Sequence, residues 1–179
     1  MKNLKKTALV TGLILFFVAI FSSAFAQEAP KLSDAEIASV AVVANQNDID
    51  FAHIALKKSK DKKVLDLAKT MVADHQAIID MAVVLVTKLK VTPQDNAVSK
   101  QYVASAKETL KKLDAEPAKT FDKTYVDNEV AYHKAVIAAV KTVLIPQAQN
   151  EELKALLQKA LPILETHLHH AEMVQGQLK

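Results

Sequence analysis

Glycine occurs only twice in 179 residues and proline five times, and this scarcity narrows the available folds more than any other feature. An all-β domain needs residues that tolerate positive φ at its hairpins, and a nucleotide-cradling loop needs glycines so that backbone amides can approach phosphate. Two glycines supply neither. Cysteine is absent, which removes disulfide scaffolds, thiol catalysis, iron–sulfur clusters and thiolate metal sites. All 23 basic residues are Lys, so the planar bidentate clamps that Arg makes on phosphate and carboxylate are missing too. What remains is a helical protein, long enough for one domain with a sizeable core, whose chemistry must come from His, carboxylates and hydroxyls.

Residues 1–26 read as a signal peptide. Lys2, Lys5 and Lys6 make a positive start, Ala8 to Phe21 form an uncharged apolar run, and Ala24-Phe25-Ala26 supplies small residues for a peptidase. The run is short for a bilayer span. Cleavage near Ala26 is therefore expected, with Gln27 opening a domain over 27–179. No Cys follows, so this is not a lipoprotein leader. The address implied is periplasmic or secreted. The formal net charge of +3 comes from the three leader lysines; without them Lys and acids balance.

The helix punctuation is legible. Ser33-Asp34-Ala35-Glu36 is a capping box, and Leu32 and Ile37 stand where a hydrophobic staple closes. This predicts a first helix to about Lys58. Asp61 caps a second, reaching about Val91. Thr92-Pro93-Gln94-Asp95 reads as N-cap, first-position Pro and an early acid, opening a shorter third helix to about Leu113. A fourth is predicted from about Ala118 to Ile145, stopped by Pro146. Asn150 caps the last helix, with Glu151 and Glu152 at its positive end. The third helix, about 30 Å long, can carry the chain from one end of a bundle to the other. The expected fold is all-α: a ferritin-like four-helix bundle, two hairpins joined by a helical crossover between the second and third long helices. A simple up-down five-helix bundle is the alternative.

Steps of three and four residues trace an apolar seam on each long helix, and each seam is interrupted at one level. The interruptions are Asp48 on the first, His75 on the second, Glu129 and His133 on the fourth, and His167 on the last. Counted from the turns at about 1.5 Å per residue, all five fall in the middle third of the bundle. Asp74 is placed to support the layer from outside it, although it points off the seam. His53 and His169 are expected to face solvent, and His170 to flank the layer. Pro162, five residues before His167, is expected to kink the last helix near Gln158.

Three imidazoles with one or two carboxylates suit one borderline transition-metal ion: Zn, Cu, Fe or Mn. Buried His and carboxylates can also satisfy one another and set helix register without metal. Both readings stay open here. A di-iron site wants a Glu three residues before a His on each of two helices, and neither His75 nor His167 has one.

The chain resembles a secreted, ferritin-like bacterial family called domain of unknown function 4142, often labelled an outer-membrane protein. The resemblance covers about residues 33–178. It rests on Met71-Val72-Ala73-Asp74-His75, on Phe121-Asp122-Lys123-Thr124-Tyr125 with His133 two turns later, and on Leu161-Pro162 followed by His167-Leu168 and Ala171. Members usually carry an acid just before the His of the fourth helix, where this chain has Tyr132. The acid of the first helix, commonly Glu, is here the shorter Asp48.

Two functions compete. One is a periplasmic bundle holding a metal ion at the His layer for storage, buffering or protection against oxidative or envelope stress. The other is a metal-free structural or surface module of the envelope, contacting anionic lipid or polysaccharide through Lys57-Lys58-Ser59-Lys60-Asp61-Lys62-Lys63. An enzyme, which would be a metal-dependent oxidoreductase, is a third reading, and no catalytic residue is assigned. Nucleic acid is not an expected partner, since there is no Arg and no basic stripe.

Overall fold

The computed structural model describes residues 30–178. The expected signal peptide and the cleavage point near Ala26 lie outside the described residues. Five long helices follow: α1 Asp34–Lys58, α2 Lys62–Leu89, α3 Ala97–Ala115, α4 Ala118–Ala139 and α5 Glu151–Gln175. A π-helical turn, Val140–Leu144, and a short helix, Ile145–Gln147, continue α4. No strand occurs among the described residues.

Helix ends are set by side chains that satisfy first-turn amides. Ser33 and Glu36 close the expected capping box on α1, with the Ser33 amide donating to Glu36 Oε2 at 2.8 Å. Leu32 and Ile37 are both buried in the same apolar cluster. Asp61 Oδ1 accepts from the Lys63 amide at 2.8 Å, and Asn150 Oδ1 from Glu152 and Leu153 at 2.9 and 3.1 Å. The start of α3 differs from expectation. Asn96, not Thr92, is its N-cap, and its side chain accepts from the Val98 and Ser99 amides. The residues before it are pinned to α1 instead: the Gln94 amide donates to Ala35 O at 3.0 Å and Asn96 Nδ2 to Glu36 O at 3.1 Å. Tertiary hydrogen bonds outcompeted the local Thr-Pro signal. Pro162 lies inside α5, whose helical assignment runs through it from Glu151 to Gln175.

The topology is two hairpins joined by a helical crossover. Contacts at both ends of α3 show this. Asn96 meets Glu36 near the start of α1, and Lys58 Nζ at the end of α1 donates to Leu113 O and Glu116 O, each at 3.0 Å, and to Asp114 O. Helix α3 therefore runs parallel to α1 and delivers the chain to the end where α2 begins. From there α4 runs parallel to α2, and α5 returns alongside both.

The core has two halves. One gathers Ile37, Val40 and Ala44 with Leu85, Val136, Val140, Leu153, Leu157 and Leu164. The other gathers Phe51, Ala55, Leu67, Met71, Phe121, Tyr125, Ala171 and Val174. A polar exception on each bundle helix falls between them: Asp48 between Ala44 and Phe51, His75 between Met71 and Leu85, His133 between Val130 and Val136, and His167 between Leu164 and Ala171, with Glu129 one turn inside the second half.

Candidate metal centre

The five interrupting residues meet. Asp48 and Glu129 are 0% exposed, His133 and His167 1%, and His75 2%. Ring centroids of His75, His133 and His167 are separated by 5.5, 4.9 and 5.4 Å. One nitrogen from each imidazole lies within 4.8 Å of the others, and ligand atoms of Asp48, Glu129 and His133 form a second such group. Asp48 Oδ2 lies 2.5 Å from His75 Nε2 and 3.5 Å from His133 Nε2.

Each imidazole has one nitrogen engaged away from the centre. Asn45 Nδ2 donates to Ala41 O at 2.7 Å, so Asn45 presents its carbonyl oxygen to His75. His75 Nδ1 must therefore carry hydrogen and donate to it, at 2.7 Å. His133 Nδ1 donates to the Glu129 backbone carbonyl, a pure acceptor, at 3.0 Å. His167 Nε2 donates to Asp74 Oδ2 at 2.9 Å. The remaining nitrogens, His75 Nε2, His133 Nε2 and His167 Nδ1, are buried with no hydrogen-bond partner. Both oxygens of Asp48 and of Glu129, and the Tyr125 hydroxyl, are in the same condition. The close approach of Asp48 Oδ2 to His75 Nε2 is an electrostatic contact rather than an aligned hydrogen bond.

Electrostatics sort the carboxylates. Burial alone would raise the Asp48 pKa, but His75 and His133 beside it hold the carboxyl well below its usual range, so it stays anionic. Burial, and then the Asp48 charge, push Glu129 well above its usual range, which favours its protonated form. Burial lowers His133 against the opposing pull of Asp48. It lowers His167 to about 4, despite the bond to Asp74. Both imidazoles are thus neutral near pH 7, the state in which a ring nitrogen can ligate a cation.

Asp74 occupies the supporting place anticipated for it, on His167 of another helix rather than on its neighbour His75. His53 and His169 are exposed and His170 is half-buried, outside both clusters. Asn45 was missed by sequence reasoning; its spacing of three residues before Asp48, on the same face of α1, was the available signal. Tyr125 was also missed as a polar group, since its ring stacks 6.2 Å from Phe121 within the apolar core. Tyr132 brings no ligand to the centre: its hydroxyl donates to Ala44 O at 2.8 Å.

A family model described as "Domain of unknown function (DUF4142)" matches residues 21–174. Among solved structures, a crystal structure of a DUF305 fragment from Deinococcus radiodurans superposes with a TM-score of 0.71 at 13% identity, covering 84% of this chain and 98% of that one. At that identity the likeness speaks for the helical fold alone. No curated protein matches the chain.

Proposed function

The chain belongs to the DUF4142 family, and on that premise we propose that its His layer binds one transition-metal ion in a periplasmic bundle serving metal storage, buffering or stress protection. His75 Nε2, His133 Nε2, His167 Nδ1 and the Asp48 carboxylate would be the ligands, with Glu129 adjoining. The observation that carries this reading is the division of labour within each imidazole. One nitrogen is oriented by an outer acceptor, as metal-ligating histidines require, while the other is buried and turned inward, where His75 Nε2 and His133 Nε2 converge on Asp48 Oδ2 at 2.5 and 3.5 Å and His167 Nδ1 has no hydrogen-bond partner.

The energetics favour metal over a self-sufficient register layer. A register network stabilises only when its members are satisfied. Each unsatisfied buried polar atom costs about 1–3 kcal/mol, and seven atoms on Asp48, His75, Glu129, His133 and His167 make no aligned hydrogen bond, a cost that the Asp48 contacts with His75 and His133 offset only in part. A divalent cation offsets it by taking up lone pairs that have no donor. Three nitrogens and a carboxylate suit Zn, Cu, Fe or Mn.

The metal-free alternative draws on the Asp48 contacts with His75 and His133, which satisfy part of the layer. Its proposed surface, the Lys57–Lys63 turn, has Lys58 committed to the end of α3. Elemental analysis of protein purified from the periplasm decides between them. One equivalent of metal, lost in His75→Ala, His133→Ala or His167→Ala, is the expected result. Metal-free protein whose melting temperature ignores added Zn, Cu, Fe and Mn would establish the alternative.

A further inference from the structure

The apolar half of the core beside the His layer is incompletely filled. A cavity of about 40 Å³ lies among α1, α2, α4 and α5, and small residues such as Ala44, Ala82 and Ala160 leave the room. A smaller hollow of about 10 Å³ lies against His75 and His133. The two share Ala44, Asn45, Val136 and Leu164 as walls, so the smaller hollow stands between the chamber and the imidazoles.

Its chemistry selects the guest. A buried water needs two to four polar partners. Only Asn45 and Tyr102 among the lining side chains are polar. Asn45 already donates to Ala41 and accepts from His75. Apolar cavities of this kind stay dry and take apolar guests; one of about 150 Å³ admits benzene. At about a quarter of that volume, the chamber suits two or three heavy atoms. Charged and strongly hydrated ligands are excluded, because nothing in the walls would replace their water.

We propose that this chamber binds a small, uncharged, apolar molecule of diatomic or triatomic size and holds it beside the His layer. Its service as an antechamber to a metal rests on the metal reading of that layer; its capacity to bind the guest does not. The two are separable by experiment.

Xenon is the probe, applied under pressure to crystals and to solutions of the purified protein stripped of metal. Xenon should occupy the chamber and shift the methyl resonances of Ala44, Val136 and Leu164. Ala82→Val and Ala160→Val, which add volume to the wall, should each weaken xenon binding at least ten-fold and leave metal stoichiometry unchanged. If either variant fails to fold, the other and the unaltered protein still decide. Ordered water filling the chamber, no xenon in it, or undiminished binding in both variants would overturn the proposal. Because the metal is removed beforehand, such a failure is distinct from a failure to bind metal, which the elemental analysis and melting temperatures above read separately.

Discussion

Asp74 and His75 are neighbours in the chain, yet their side chains serve the same layer from opposite directions. His75 turns inward to Asp48, while Asp74 reaches across to α5 and accepts from His167 Nε2 at 2.9 Å. One helical step of about 100° separates them, so consecutive residues can supply a ligand and the orienting partner of a ligand on another helix.

Removing an orienting group should weaken metal binding without removing a ligand. Asp74→Ala and Asn45→Ala each leave one imidazole free to rotate or change tautomer. Metal affinity should fall about 10–100-fold in each, read by competition with a chromophoric chelator. Affinity equal to that of the unaltered protein would show that these bonds do not orient the histidines.

Stability of the metal-free protein should fall as pH drops from about 6.5 towards 4. The unfolded chain protonates its histidines near 6.5, whereas folded His167 resists until about 4 and folded His133 is also lowered. In that window the unfolded state binds more protons, so acid favours unfolding. His167 accounts for about 3 kcal/mol of the change, and urea titrations across the range would measure it. His167→Gln should flatten the curve. A further decline below pH 4 follows from Asp48, whose lowered pKa favours the folded state only while the carboxyl is ionised.

Glu129→Gln should stabilise the metal-free protein near neutral pH. The raised pKa of Glu129 means that folding requires a proton which the unfolded carboxylate has already released above about pH 4.5. A neutral amide of similar shape removes that cost. Asp48→Asn should act oppositely: it removes the anion 2.5 Å from His75 Nε2, and breaking a buried pair costs about 3 kcal/mol or more. Thermal melts of the two variants at pH 7 would reveal the opposed signs.

Lysines of the turn between α1 and α2 should not behave alike. Lys58 caps the end of α3 and lies 5.2 Å from the centre of the Phe121 ring, so Lys58→Ala should cost about 1–2 kcal/mol. Lys60, Lys62 and Lys63 are exposed, and their replacement by Ala should leave the melting temperature unchanged. An envelope contact through this turn would appear in those three variants as lost vesicle or polysaccharide binding without lost stability.

Much of the architecture was legible because helices announce themselves locally. Ser33, Asp61 and Asn150 are caps wherever the chain goes, and the seams expose Asp48, His75, His133 and His167 as exceptions by spacing alone. The start of α3 was misread because docking of Gln94 and Asn96 onto the first turn of α1 is not a local property. Asn45 and Tyr125 escaped notice for a related reason: a polar group beside a seam carries no mark of which atom it will face.

By itself, the sequence determined five helices, a crossover long enough to join two hairpins, and one polar level in an otherwise apolar core. Those features follow from capping chemistry and a period of 3.6, which need no knowledge of neighbours. Only the tertiary structure decided which nitrogen of His75 and of His167 faces inward, since that depends on acceptors brought from other helices, Asn45 and Asp74, whereas His133 uses the Glu129 carbonyl of its own helix. The apolar chamber beside them is likewise a property of packed helices, because a void belongs to no residue until its walls meet.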